Sequence, residues 1–133
     1  MVKLIKLKSN GDLRGELVVL EGNKEIPFDI ARVFYMYNTT NDISRGNHAN
    51  WNSEFVFICV NGSLKVKTYD GKNEENFILD KRDEALYLPK LVWKEMYDFS
   101  EDAVLLVLSN CKYDKAEYIN DKKRYEEIVK NYE

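Results

Sequence analysis

Short extended segments recur along most of this sequence at spacings of about ten residues, and they restrict the chain to an all-β fold. Apolar residues alternate with polar ones in some segments and form continuous runs in others. Gly, Asn and Asp separate the segments, and these residues favour tight turns. Many short strands joined in this way are typical of an antiparallel sandwich or barrel. The segments lie near residues 1–8, 15–20, 31–37, 54–60, 63–69, 76–79, 85–88, 92–99 and 103–109.

Two segments in the middle of the chain predict a β-hairpin. Residues 54–60 are a near-continuous apolar run, whereas residues 63–69 alternate apolar and polar side chains. Asn61 and Gly62 stand between them and form a common hairpin turn sequence. We therefore expect these two strands to pair with each other.

The segment at residues 31–37, ARVFYMY, carries apolar side chains on both faces of the predicted strand. One face holds Arg32, Phe34 and Met36, and the other holds Val33, Tyr35 and Tyr37. We expect both faces to be buried or to line a cavity.

The C-terminal tail has a different periodicity from the rest of the chain. In residues 121–133, Tyr125, Ile128, Val129 and Tyr132 recur at helical spacing. This pattern predicts an amphipathic helix that packs on the barrel.

Length and composition indicate one globular domain over residues 1–133. Hydrophobic residues make up 44% of the chain and charged residues of both signs 32%, which is typical of an ordered fold. The formal net charge of −3 provides no basic surface of the kind that nucleic acids require. No apolar run approaches a membrane span and no signal peptide is evident, so we expect a cytoplasmic protein. Cys59 and Cys111 lack CxxC spacing, which favours free thiols.

His48 is the only histidine in the sequence and lies in the stretch RGNHANW at residues 45–51. Histidine has an ordinary pKa of about 6.5, which suits proton transfer near neutral pH. Asn50 follows by two residues on an extended segment, so both side chains point to the same side. One imidazole, one amide and the carboxylate of Glu54 make a poor metal site. His48 is therefore the first candidate for proton chemistry, and we expect no metal.

Several longer blocks carry a family resemblance. They are SRGNHANW followed by an apolar strand and NGS, and then DIARVFYMY, ALYLPKLVWKEMYDFS and AVLLVLSNCKYDKAEYI. Over roughly residues 2–125 their order and spacing resemble those of the cupin-fold sugar 3,4-ketoisomerases, the WxcM-like group that acts on dTDP-4-keto-6-deoxy-glucose. The resemblance implies a cupin-like jelly-roll barrel that binds a dTDP-hexose in its mouth without a metal or other cofactor. It also implies a homodimer that exchanges N-terminal strands, working in deoxysugar biosynthesis for surface glycans.

The sequence departs from the family pattern at three positions, one of them within the motif RGxHAH. The first motif histidine is His48, but the second is replaced by Asn50, and the lysine that usually follows is replaced by Trp51. An arginine that the family carries near its C-terminus is Asn120 here. Asparagine neither accepts nor releases a proton near neutral pH, so the resemblance places the proton transfer on His48.

The resemblance and the residue chemistry together imply seven site residues. We expect His48 to act as the base that moves a proton between C3 and C4 through an enediol, with Tyr35 and Asn50 stabilising the enediolate oxygens. The guanidinium groups of two arginines suit the diphosphate, and two indoles suit stacking on the ligand. These four substrate-binding candidates are Arg32, Arg45, Trp51 and Trp93. Core packing for the aromatic residues and ordinary surface positions for the arginines remain the alternatives.

Two other functions fit the same sequence features. A sugar-nucleotide binding module without catalytic activity would keep the cavity after losing one histidine. An epimerase of 4-keto sugar nucleotides would use a histidine paired with a carboxylate, so a bond between Glu54 and His48 would favour it. Fold class does not distinguish these functions.

Overall fold

The computed structural model describes residues 1–40 and 43–132, in which twelve strands, one 3-10 turn and one α-helix are formed. The helix, α1, spans Lys122–Asn131, and the 3-10 turn spans Lys115–Glu117. Within these two ranges, no helix has the length and apolar character that crossing a membrane requires. The strands are β1 (Lys3–Lys6), β2 (Ser9–Asp12), β3 (Gly15–Val18), β4 (Arg32–Met36), β5 (Arg45–Asn50), β6 (Phe55–Asn61), β7 (Leu64–Tyr69), β8 (Glu74–Leu79), β9 (Glu84–Leu88), β10 (Trp93–Tyr97), β11 (Val104–Ser109) and β12 (Tyr118–Ile119).

Ten of these strands form two five-stranded antiparallel sheets. The first sheet has the order β1-β9-β6-β11-β4, and the second has the order β12-β5-β10-β7-β8. Strands β2 and β3 form a separate two-stranded ribbon. The predicted all-β antiparallel architecture with a short C-terminal helix is therefore confirmed.

The main hydrophobic core lies between the two sheets. Phe55 and Phe57 of β6 and Leu105 of β11 come from the first sheet, and Leu64 and Val66 of β7 come from the second. The alternation predicted for residues 63–69 is observed, since every second side chain of β7 is buried. Removal of these side chains from water provides the main driving force for packing the sheets together.

Two further clusters cover the outer faces of the sheets. Outside the first sheet, Val56 and Ile58 of β6 pack against Ile26 and Phe28 of the loop between β3 and β4. Strand β6 is therefore buried on both faces, which explains its near-continuous apolar sequence. Outside the second sheet, α1 packs through Tyr125 as the C-terminal periodicity predicts.

The predicted hairpin between residues 54–60 and 63–69 is wrong. Both strands form, but β6 pairs with β9 and β11 whereas β7 pairs with β8 and β10. Gly62, at φ +71°, carries the chain from one sheet to the other, and a Cβ there would lie 2.2 Å from Ser100 Oγ. An Asn-Gly pair marks a reversal of the chain, but it does not specify which strands pair across it.

The expectation that both faces of residues 31–37 are buried is also wrong, although Tyr35 and Tyr37 on the outer face border a surface hollow of about 230 Å³. Strand β4 lies at the edge of the first sheet, and only the face that carries Arg32, Phe34 and Met36 turns inward. The opposite face, with Val33, Tyr35 and Tyr37, is exposed. Alternation assigned the two faces correctly, but apolar composition alone did not reveal that one of them lies uncovered in the single chain.

Candidate active site

A cavity of about 130 Å³ opens between the two sheets on the side where β4, β5, β10 and β12 meet. Apolar side chains form most of its wall, and His48 and Lys94 are among its polar groups. Drug-sized ligands occupy pockets of roughly 300–1,000 Å³, so this cavity has room for only a small part of such a molecule. The full lining is Phe34, Met36, Arg45, Gly46, His48, Phe55, Phe57, Lys94, Met96 and Tyr118.

A β-bulge in β5 directs His48 toward this cavity. The register between β5 and β10 shifts at this point, and Gly46 and Asn47 adopt positive φ angles of 86° and 55°. A Cβ at Gly46 would lie 3.0 Å from the backbone oxygen of Lys94 and 3.0 Å from Met96 Sδ. Glycine is therefore required here by both backbone conformation and space, and bulges of this kind re-aim neighbouring side chains.

The imidazole of His48 is held in one tautomer. Its Nδ1 lies 2.8 Å from the backbone oxygen of Gly46, and since a carbonyl only accepts hydrogen bonds, Nδ1 carries the proton. Tyr118 lies against the ring, with 4.8 Å between the ring centroids. Burial, together with the positive charges of Lys94 and Arg32, lowers the pKa of His48 to about 4 against the opposing effect of the Gly46 hydrogen bond. The ring is thus neutral at physiological pH, and the lone pair of Nε2 is available to accept a proton.

Lys94 is the site residue that sequence reasoning missed. It is the cross-strand partner of His48 on β10, so the two side chains stand on the same inner face. The side chain is 2% exposed, and its Nζ donates to Asn50 Oδ1 at 3.1 Å and lies 4.7 Å from the centroid of the Phe55 ring. Burial lowers the pKa of Lys94 to about 7. Alternation with buried Met96 was a sequence signal that this lysine points inward, but lysine is normally assigned to the surface.

Asn50 is buried on the same side of β5 as His48, as its spacing predicts. Its oxygen holds Lys94, while its Nδ2 is buried without a hydrogen-bond partner among residues 1–40 and 43–132. The side chain is not part of the cavity lining. Asn50 therefore lies behind Lys94, which argues against the expected direct contact with an enediolate oxygen.

The two predicted arginines lie near His48. Arg45 lines the cavity at its exposed end. Arg32 stacks over the rings of Phe34 and Tyr113, at 5.0 Å and 5.8 Å from their centroids. Its Nε is buried without a hydrogen-bond partner in the described part of the chain. Arg32 contributes positive charge near His48, but it is not among the residues that line the cavity.

Tyr35, Trp51 and Trp93 do not reach the cavity, contrary to expectation. Tyr35 is 64% exposed because it alternates with the inward residues of β4. Trp93 directly precedes Lys94, so it faces the outer side of the second sheet, where its ring centroid lies 5.7 Å from that of Tyr125. Trp51 packs in the same outer cluster, 6.4 Å from the ring of Tyr132. The two tryptophans were proposed because indoles suit stacking on a ligand, and Tyr35 because the family resemblance implied it, but the structure turns all three side chains away from the cavity.

Glu54 does not form a dyad with His48. Its carboxylate accepts hydrogen bonds from the hydroxyl of Tyr87 and from Asn110 Nδ2. Within the described ranges, no three His, Cys, Asp or Glu side chains are grouped so that they could hold a metal ion. The hydrogen bond of His48 goes to a backbone carbonyl, which removes the observation that would have favoured an epimerase.

Comparisons with known proteins give a consistent result. The family model described as "FdtA: WxcM-like, C-terminal" matches residues 1–130. A TDP-4-oxo-6-deoxy-alpha-D-glucose-3,4-oxoisomerase from Aneurinibacillus thermoaerophilus is 40% identical over 127 residues, covering 96% of this chain and 91% of the relative.

Solved structures agree with the sequence comparison. The structure of WlaRA, a TDP-fucose-3,4-ketoisomerase from Campylobacter jejuni, superposes with a TM-score of 0.94 at 42% identity, covering 98% of this chain and 96% of that one. A mutant of the 3,4-ketoisomerase QdtA from Thermoanaerobacterium thermosaccharolyticum, in complex with TDP-4-keto-6-deoxyglucose, superposes with a TM-score of 0.94 at 40% identity, covering 98% and 94% of the two chains.

Proposed function

This chain belongs to the WxcM-like FdtA family, and we propose that it is a sugar-nucleotide 3,4-ketoisomerase that converts TDP-4-keto-6-deoxyglucose to its 3-keto isomer. The observation that carries this proposal is the neutral imidazole of His48, which exposes an unprotonated Nε2 to a small, mostly apolar cavity. The reaction would serve deoxysugar biosynthesis for surface glycans.

The cavity suits the sugar end of the substrate. Its apolar walls from Phe34, Phe57 and Met96 exclude water from the reacting carbons, and its volume accommodates little more than one ring. Arg45 at the exposed end and the positive charge of Arg32 near His48 support binding of the diphosphate near the mouth. A bound diphosphate would offset the positive charge around His48 and raise its basicity.

His48 would carry the carbon-bound proton. The ketone at C4 acidifies the proton on C3, and Nε2 accepts it to give an enediolate with its charge on O4. The resulting imidazolium then returns the proton to C4 while the hydroxyl proton of O3 moves to O4, which leaves the ketone at C3. One positioned imidazole thus performs both the deprotonation of C3 and the protonation of C4. The hydrogen bond from Nδ1 to the backbone oxygen of Gly46 keeps the imidazole in one orientation during both steps. The residues around the cavity support a reaction without a metal.

We also infer that the protein is a homodimer of single cupin-like domains spanning 1–133. The ribbon of β2 and β3 stands apart from both sheets, and Leu13 and Leu17 on it are exposed. A hollow of about 710 Å³ lies between the ribbon and residues 80–83. An isolated two-stranded ribbon is marginally stable in water, so packing against a second copy would stabilise it.

The direct test is incubation with TDP-4-keto-6-deoxyglucose in deuterated water, with NMR detection of the product and of deuterium at C3 and C4. A 3-keto product supports the proposal, and deuterium at C4 reports how far the imidazolium exchanges with solvent before it protonates C4. Tyr35→Phe is the matched control, and its activity should stay within about twofold of wild type because Tyr35 lies outside the cavity. Binding without label would indicate the binding module, and a 4-keto product with inverted C3 would indicate the epimerase.

A further inference from the structure

We propose that Lys94 is the second proton-transfer group of this site, moving the oxygen-bound proton from O3 to O4 while His48 moves the carbon-bound proton. The inference rests on the proposed function, because it assigns a role in that same reaction. It assigns to the site a residue whose side chain carries a transferable proton, which the amide of Asn50 lacks.

The position of Lys94 supports this role. Lys94 and His48 are directly opposed on neighbouring strands, and both line the cavity. Opposed side chains have Cβ atoms roughly 4.5–5.5 Å apart. This separation allows the two side chains to contact adjacent carbons of the sugar ring and their oxygens. His48 and Lys94 thus reach one ring from the same wall.

The surroundings of Lys94 leave its proton available for transfer. Its partners are neutral: Asn50 Oδ1 at 3.1 Å, the backbone oxygen of Val92 at 3.4 Å and the Phe55 ring. No carboxylate among the described residues forms an ion pair with it. A buried ammonium without a counter-charge is costly, and such groups concentrate at functional sites.

The charged and titratable groups around Lys94 come from several elements. His48 opposes it on β5, Arg32 lies on β4, Arg45 lines the same cavity, and Tyr118 lines that cavity from β12. None of these is a carboxylate. Burial alone accounts for the lowered pKa of Lys94, about 7, so both the ammonium and the amine are populated near neutrality.

The proton balance closes over one turnover. His48 Nε2 removes the proton from C3 while the Lys94 ammonium donates a proton to O4, which gives the neutral enediol, an imidazolium and a free amine. The amine then removes the proton from O3 as the imidazolium protonates C4, and the ketone forms at C3. Both groups return to their starting states, and no oxidant, reductant or co-reactant is needed.

Asn50 is the positioning residue for this step. Its oxygen holds the ammonium of Lys94, and its side chain does not line the cavity. A carboxylate at the same position would pair with the ammonium and stabilise the charged form. Asn50→Asp should therefore move the alkaline limb of the kcat profile upward by about one to three pH units.

The test compares Lys94→Met and Lys94→Arg with wild type on TDP-4-keto-6-deoxyglucose, measuring kcat and KM between pH 4 and 10. Lys94→Met should lower kcat by about 10²- to 10⁴-fold with KM within about threefold, and the residual rate should lack the alkaline limb near pH 7. Lys94→Arg keeps the charge but does not release its proton, so it should lose comparable activity. Lys122→Met is the matched control, because Lys122 also lies over an aromatic ring, that of Tyr69, but outside the cavity.

The outcomes separate the two proposals. If wild type forms the 3-keto product and either Lys94→Met or Lys94→Arg retains kcat within about threefold, the role of Lys94 is overturned but the proposed function is not. A wild-type protein that leaves the substrate unchanged would overturn both. If Lys94→Met does not fold, Asn50→Asp decides, since an alkaline limb that stays in place contradicts the assignment.

Discussion

The chemistry proposed for this site depends on the protonation states of two side chains. His48 is neutral because burial and nearby cations disfavour its charged form, and Lys94 is easily deprotonated because burial disfavours its ammonium. Burial lowers the pKa of both groups because it disfavours their positively charged forms, so the same apolar cavity favours a neutral His48 and an easily deprotonated Lys94. Of the two, only His48 was identifiable from the sequence, since a lone histidine in a motif attracts notice and one lysine among many does not.

At the residue scale, the buried amine predicts a pH dependence of stability. The pKa of Lys94 is lowered from about 10.5 when unfolded to about 7 when folded, so the unfolded chain binds more protons between these values. The free energy of unfolding should therefore rise with pH over this window. As pH falls toward 7 this gain is lost, because the buried amine must again be protonated.

Lys94→Met should remove this dependence and raise the free energy of unfolding at pH 7 by about 1–4 kcal/mol, because an apolar side chain replaces a buried cation. Urea unfolding of wild type and Lys94→Met at pH 7 and pH 10 measures this difference in the free energy of unfolding. A variant that is less stable than wild type at pH 7 would contradict the assigned burial cost.

At the scale of strands and helices, alternation and apolar runs located most elements but not their pairing. The buried face of β7 and the helix α1 followed from periodicity, whereas for β4 alternation gave the two faces but not which of them turns inward. The partners of β6 did not, because its burial on two faces depends on β9 and β11, which are distant in sequence. The bulge of β5 could not be predicted from the sequence either, since it depends on the close approach of Gly46 to the backbone of Lys94.

The bulge itself is testable with Gly46→Ala. The added Cβ would meet the oxygen of Lys94 and Met96 Sδ at 3.0 Å on a backbone with φ of 86°, so β5 must shift. We expect a loss of about 1–3 kcal/mol in stability and at least a tenfold lower kcat, since small misplacements of a catalytic group are costly. Gly11→Ala on the distant ribbon is the control, because its Cβ would meet mainly the flexible side chain of Glu16. Equal kcat for Gly46→Ala and wild type would show that the bulge does not place His48.

At the scale of the whole molecule, the two sheets and the helix carry most of the buried core residues, whereas the ribbon of β2 and β3 is largely exposed in one chain. Length and composition indicated a globular fold, yet they gave no information on what covers this ribbon. A stable interface would bury the exposed leucines of the ribbon together with parts of the neighbouring sheet.

The inferred homodimer predicts that Leu17→Asp dissociates the protein. Leu17 is 62% exposed in the single chain, and a carboxylate buried at an interface is strongly unfavourable. Light scattering should give a dimer for wild type and a monomer for the variant. Ile78→Asp, an equally exposed position on β8, should stay dimeric. A monomeric wild-type protein, or dissociation only by Ile78→Asp, would contradict the inferred interface.

The most direct test of the site as a whole is the rate of C3 proton exchange in His48→Asn compared with wild type. The measurement is made by NMR in deuterated water with TDP-4-keto-6-deoxyglucose, on proteins shown by melting temperature to be folded. If Nε2 of His48 is the base, wild type should lose the proton from C3 during turnover, with deuterium incorporated to the extent that the imidazolium exchanges with solvent, and the variant should lose that proton about 10²- to 10⁴-fold more slowly. Exchange by His48→Asn at the wild-type rate would show that the imidazole does not remove the proton.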